Sequence, residues 1–69
     1  MSIKILTADN DPKVRKLKNK FDVFRVIGVK NGKLEIIEFF NKDGVFRGFG
    51  RDTKTAFNKA KKVLTNYYK

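Results

Sequence analysis

Basic side chains are the most numerous chemically active groups in this chain, and most of them fall in two runs. Lys13, Arg15, Lys16, Lys18 and Lys20 lie between Pro12 and Lys20 with no acid among them. Arg51, Lys54, Lys59, Lys61, Lys62 and Lys69 fill the C-terminal segment against Asp52 alone. Cations at this density neutralise an anionic polymer through point-charge contacts and counterion release. Covalent chemistry is a poor fit. The chain holds neither histidine nor cysteine, so the usual nucleophile–base pairs are excluded. Glu35 and Glu38 stand three apart in a strand-like segment, which turns them to opposite faces and prevents a catalytic carboxylate pair. Asp9-Asn10-Asp11 lacks the glycine-centred loop and trailing glutamate of a calcium site. The expectation is a protein that is not an enzyme and carries no metal and no cofactor.

Seventeen Lys and Arg against seven Asp and Glu give a formal charge of +10 in 69 residues. Such a field opposes compaction and is relieved by an anionic partner. Nucleic acid is the expected partner. A membrane surface is not, because the C-terminal amphipathic segment needs its apolar side to cover the core of so small a protein. The chain also has no apolar run of spanning length and no signal-peptide core. The absence of cysteine fits a reducing compartment, so a soluble cytoplasmic or nucleoid-associated protein is expected. The length suits one domain over 1–69, near the lower limit for a core without disulfides. Hydrophobic content of 41%, with seven Phe, is enough for a globular fold.

Turn chemistry places the elements that must carry these groups. Asn31-Gly32 and Asp43-Gly44 each separate runs rich in Val, Ile and Phe, the strongest local hairpin signal. They predict antiparallel strands over about Phe21–Lys30, Lys33–Asn41 and Val45–Gly50. Apolar residues occupy both faces of the first two strands, so the sheet is either covered on both sides or meets a partner on one. Past the third strand the period becomes helical: Ala56, Ala60, Val63, Leu64 and Tyr67 form a stripe with Phe57 and Tyr68 at its margin. Lys54, Asn58, Lys61, Lys62 and Thr65 lie opposite, and Asp52 or Thr53 can cap the start. Near the N-terminus, Ser2–Thr7 alternates like a strand. Asp11-Pro12 then opens a short helix over about Pro12–Asn19, with Val14, Leu17 and Phe21 at helical spacing. A basic arm over 1–20 that orders on binding is the alternative. The fold expected is α+β: a three-stranded antiparallel sheet, with a fourth N-terminal strand if the alternation holds, packed by a C-terminal helix.

The segment from Gly48-Phe49-Gly50-Arg51-Asp52-Thr53-Lys54 to Ala60 is the most distinctive. Alternate glycines bare one face of a strand for close approach of the following helix. This segment, over Lys42 to Leu64, resembles the third strand and second helix of double-stranded RNA-binding domains, whose pattern is G-x-G-x-S-K-K-x-A-K-x-x-A. Gly48, Gly50, Lys54, Ala56 and Ala60 fall in register; Asp52, Thr53 and Phe57 replace the family's serine and two of its lysines. The resemblance implies phosphate contacts from the start of the second helix. Three strands followed by a helix are also similar to the arm-DNA-binding domains of tyrosine-type integrases. That likeness implies a sheet face reading DNA with Arg25, Arg47, Arg51 and Phe49. Arg47-Gly48-Phe49-Gly50 is similar to part of the RNA-recognition motif, but the family's following F-V-x-F is absent.

These observations predict duplex DNA or RNA binding with little sequence preference. The expected contacts are Lys13, Arg15, Lys16, Lys18, Arg25, Arg47, Phe49, Arg51, Thr53, Lys54, Asn58, Lys61 and Lys62. The other class of function is a phage- or mobile-element-type interaction module that binds an acidic or nucleic-acid-binding surface of a host protein. Either suits a monomer or a homodimer.

Overall fold

The structure, a computed structural model, describes residues 2–6 and 9–69, with no side-chain description for Ser2 and Leu6. Its elements run β1 (Ser2–Leu6), α1 (Pro12–Phe21), β2 (Arg25–Asn31), β3 (Leu34–Asn41), β4 (Gly44–Gly50) and α2 (Thr53–Tyr67). The fold is α+β. Four antiparallel strands form one open sheet in the order β1-β2-β3-β4, and the expected N-terminal strand is its edge. Thr7, which the alternation included in that strand, lies outside the described residues.

Both hairpins turn where the glycines require it. Gly32 has φ 64° and Gly44 φ 138°, values that an L side chain adopts only with strain. The expected start of the second strand at Phe21 is corrected, because α1 runs on through that residue. Asp22 then takes φ 62° and its N–H donates to the Lys18 carbonyl, a left-handed C-cap that stops the helix. At the other end the Asp11 carboxylate accepts from the Lys13 N–H at 2.8 Å, with Pro12 in the first turn.

One sheet face carries the core. Register places Val26 beside Phe39 and Phe39 beside Phe46, while Gly28, Ile37 and Gly48 form the adjacent row. Val14 and Leu17 of α1 and Ala56, Ala60 and Leu64 of α2 close over them. The rings of Phe39 and Phe57 meet edge to face at 5.0 Å. The helical stripe is narrower than its spacing suggested: Val63 and Tyr67 stand exposed. Tyr67 nevertheless meets Phe46, with ring centroids 5.1 Å apart.

A polar clasp ties the two helix ends to the second hairpin. The buried Asn41 donates through Nδ2 to the Phe21 carbonyl at 3.1 Å and to Tyr68 Oη at 2.8 Å. Tyr68 Oη in turn donates to Asp43, and its ring stacks on Phe21 with centroids 5.6 Å apart. Asn41 Oδ1 accepts from the Asp43 N–H at 2.8 Å, so both polar ends of this buried amide are paired, as burial demands.

Candidate nucleic-acid interface

The two helices cover the same sheet face and run in the same direction. Lys13 near the start of α1 lies over the Phe57 ring, and Phe21 at its end stacks on Tyr68 at the end of α2. Between them is a groove of about 390 Å³ lined by Lys13, Lys16 and Lys20 from α1 and by Lys54, Asn58, Lys61 and Thr65 from α2. Leu17, Phe21 and Phe57 form its apolar lining. The lysines reach it because 13, 16 and 20, and likewise 54 and 61, recur at helical spacing, while Val14 and Leu17 are turned to the core.

Five lysines share this groove, and among the described residues no carboxylate lines it. The acids are held elsewhere. Asp11 and Asp52 cap the helices at 2.8 and 2.7 Å, Asp43 accepts from Tyr68, and Glu35 accepts from the Thr53 hydroxyl at 2.6 Å. Glu38 accepts from Arg47 Nε and Nη2 at 2.9 and 2.7 Å. Five of the seven acidic side chains thus serve caps, a clasp and the sheet, which leaves the groove cationic. The Asp52 carboxyl is held below its usual value, chiefly because the Thr55 N–H donates to it, with help from the Thr55 hydroxyl. An ionised cap in this position stabilises the first turn of α2, which carries Lys54.

The residues expected at the interface divide between four places. Lys13, Lys16, Lys54, Asn58 and Lys61 converge in the groove. Arg15, Lys18 and Lys62 are exposed on the same two helices but do not line it. Thr53 is bound to Glu35, and Arg51 follows the end of β4 beside Lys30 and Lys33, outside the groove. Arg25, Arg47 and Phe49 lie on the opposite side of the sheet. There the Arg25 guanidinium rests 4.8 Å from the Phe40 ring centroid. Sequence spacing did not mark Phe57 as part of the groove; its place at the edge of the apolar stripe was the available signal. Where the RNA-binding motif has a lysine, Phe57 gives the groove an apolar floor and Lys13 of α1 lies over it, 5.8 Å from the ring centroid.

The open sheet face is largely apolar. Its cross-strand rows are Ile3–Val29–Ile36–Phe49, Ile5–Ile27–Glu38–Arg47 and Arg25–Phe40–Val45. Ile3 is 62% exposed, Ile5 56%, Val45 48% and Phe49 45%. No helix among the described residues is long and apolar enough to cross a membrane. Comparison with protein-family models, curated proteins and solved structures gives no match to this chain.

Proposed function

We propose that this protein binds duplex nucleic acid through the groove between α1 and α2, with little sequence preference. The observation that carries the proposal is the convergence of Lys13, Lys16, Lys20, Lys54 and Lys61, from two separate elements, on one groove without a lining carboxylate. Seven residues of helix advance about 10 Å, so Lys13 to Lys20 and Lys54 to Lys61 are two cationic rows of that length. Duplex DNA carries about six phosphate charges over about 10 Å of axis. Five lysines match that density.

Residue type argues for phosphate contact over base readout. Lysine is a compact point charge on a flexible stem, whereas bidentate reading of guanine edges is the work of arginine. The groove holds no arginine among its lining residues. Arg47 is already engaged by Glu38 on the other face. This favours the helix-face mode implied by the RNA-binding-domain resemblance over the sheet-face mode implied by the integrase-arm resemblance.

The test is fluorescence anisotropy with matched duplex DNA, duplex RNA and single strands at several salt concentrations. A Lys16→Glu/Lys54→Glu/Lys61→Glu variant is compared with a Lys33→Glu/Lys42→Glu/Lys59→Glu variant. Each removes three positive charges and adds three negative ones, so both go from +10 to +4 (10 − 6). Loss of affinity confined to the groove variant is expected. Equal losses would mean that charge alone, without this groove, governs binding. If no probe binds at physiological salt, an acidic protein surface becomes the ligand to seek.

A further inference from the structure

We infer that the open sheet face is a contact between two copies of this chain, packed face to face as a two-sheet sandwich with the helices outermost. The inference stands apart from what the groove binds. Three observations lead to it, the first being composition. Eight residues in the three cross-strand rows are Ile, Val or Phe, and the four at the margins are about half exposed or more. Water-facing strands of an antiparallel sheet normally alternate to polar residues on that side, so a continuous apolar face of this kind marks an interaction surface.

Charge is the second. The rows contain two arginines and one glutamate, a sum of +1 on a molecule of +10. This is the near-neutral side of a strongly cationic chain and no attraction for a polyanion. Arg47 and Glu38 already pair at 2.7 Å within one chain, so neither enters the contact as a lone charge. Among the ways to join two such chains, packing the open faces places the lysine grooves on opposite outer sides. Two sheets about 10 Å apart, each backed by helices, separate them by more than the Debye length of about 8 Å at physiological salt.

Area is the third. Four strands about 4.8 Å apart and about 23 Å long give a footprint near 450 Å². Doubled for a pair this is about 900 Å², below the range of stable interfaces and within that of weak, transient ones. A reversible dimer is what such an area supports. Each molecule of the pair would present a groove outward, so one dimer can engage two duplex segments at once.

The test uses the full chain without nucleic acid. Sedimentation velocity from about 1 μM to about 1 mM should show the mass rise from 8.0 kDa toward twice that value. A Val45→Glu/Phe49→Glu variant, altered only at exposed positions, should weaken association at least about 100-fold while keeping the wild-type circular dichroism. Methyl NMR of the wild type makes the result independent of any variant. Shifts at Ile3, Ile5 and Ile36 should move with concentration while Val14 and Leu64 stay fixed. A mass constant at 8.0 kDa over the whole range, a folded variant that still dimerises, or concentration-dependent shifts that spare the three isoleucines would each overturn the inference.

Discussion

A methyl group placed on Gly48 would lie 2.2 Å from the backbone nitrogen of Ala60 and 2.4 Å from the carbonyl oxygen of Ala56. Strand β4 and helix α2 therefore touch backbone to backbone, and the alternate glycines of the strand and the two alanines one turn apart on the helix form a single device. Gly48→Ala cannot be absorbed by a rotamer change. It should cost about 3 kcal/mol or more, at the upper end of overpacking effects, and push α2 with its lysines away from the sheet. Gly28→Ala is the contrast, because its methyl would crowd the movable tip of Ile37 at 3.2 Å and touch the Lys4 carbonyl oxygen at an ordinary 3.9 Å. Urea unfolding of the two variants checks the ranking, with a cost below about 1 kcal/mol expected for Gly28→Ala.

Single replacements within the groove should change the salt dependence of binding as well as the affinity. With five phosphates neutralised, log K against log salt should slope at about −4.5 for duplex DNA. Lys13→Ala, Lys16→Ala, Lys20→Ala, Lys54→Ala and Lys61→Ala should each make it shallower by about 0.9, whatever the DNA sequence. Slopes that do not change across the series would place the phosphates elsewhere.

Tyr68 gives the fold an alkaline limit. The Asp43 carboxylate accepts a hydrogen bond from the protonated phenol and, with burial adding to the effect, holds Tyr68 above the ordinary tyrosine pKa. A pKa raised in the folded state contributes stability that is complete below the unfolded value of about 10 and is lost as pH rises through the folded one. Tyr68→Phe should be less stable than wild type at neutral pH, with the gap closing at strongly alkaline pH. Thermal melts at several pH values test this, and a gap that stays constant with pH would count against the clasp.

Asp52 sets the opposite limit. Its folded pKa is depressed by the Thr55 amide and hydroxyl, so its contribution is present above the unfolded value of about 3.9 and is lost as pH falls through the folded one. Asp52→Asn retains an oxygen acceptor for the cap but removes the titration. The stability difference between wild type and Asp52→Asn should shrink as pH drops from 5 toward about 2. Chemical denaturation along that pH series is the measurement.

Most of the secondary structure was legible in the residue order because the signals are local. Asn31-Gly32 and Asp43-Gly44 demand positive φ and place two hairpins. Asp11-Pro12 and Asp52 are caps whose carboxylates need only reach an N–H two or three residues on. The end of α1 is less legible because it depends on Asp22 entering the left-handed region, which an aspartate signals far more weakly than a glycine. Helical period places Val63 in the apolar stripe, yet it stands exposed, because period does not tell how wide a band of a helix its neighbours cover.

By itself, the sequence determined the cationic character, the order of the elements, and the helix spacing that puts Lys13, Lys16 and Lys20 on one side and Lys54 and Lys61 on another. Only the tertiary structure decided that those two sides face each other. Their meeting depends on α1 and α2 covering the same sheet face in the same direction, a relation between residues some forty positions apart, as Lys13 is from Phe57. It also decided that Arg25, Arg47 and Phe49 lie on the far side, with Arg47 held by Glu38 across β3 and β4. Strand alternation assigns residues to two faces, but burial by the helices decides which of those faces becomes core.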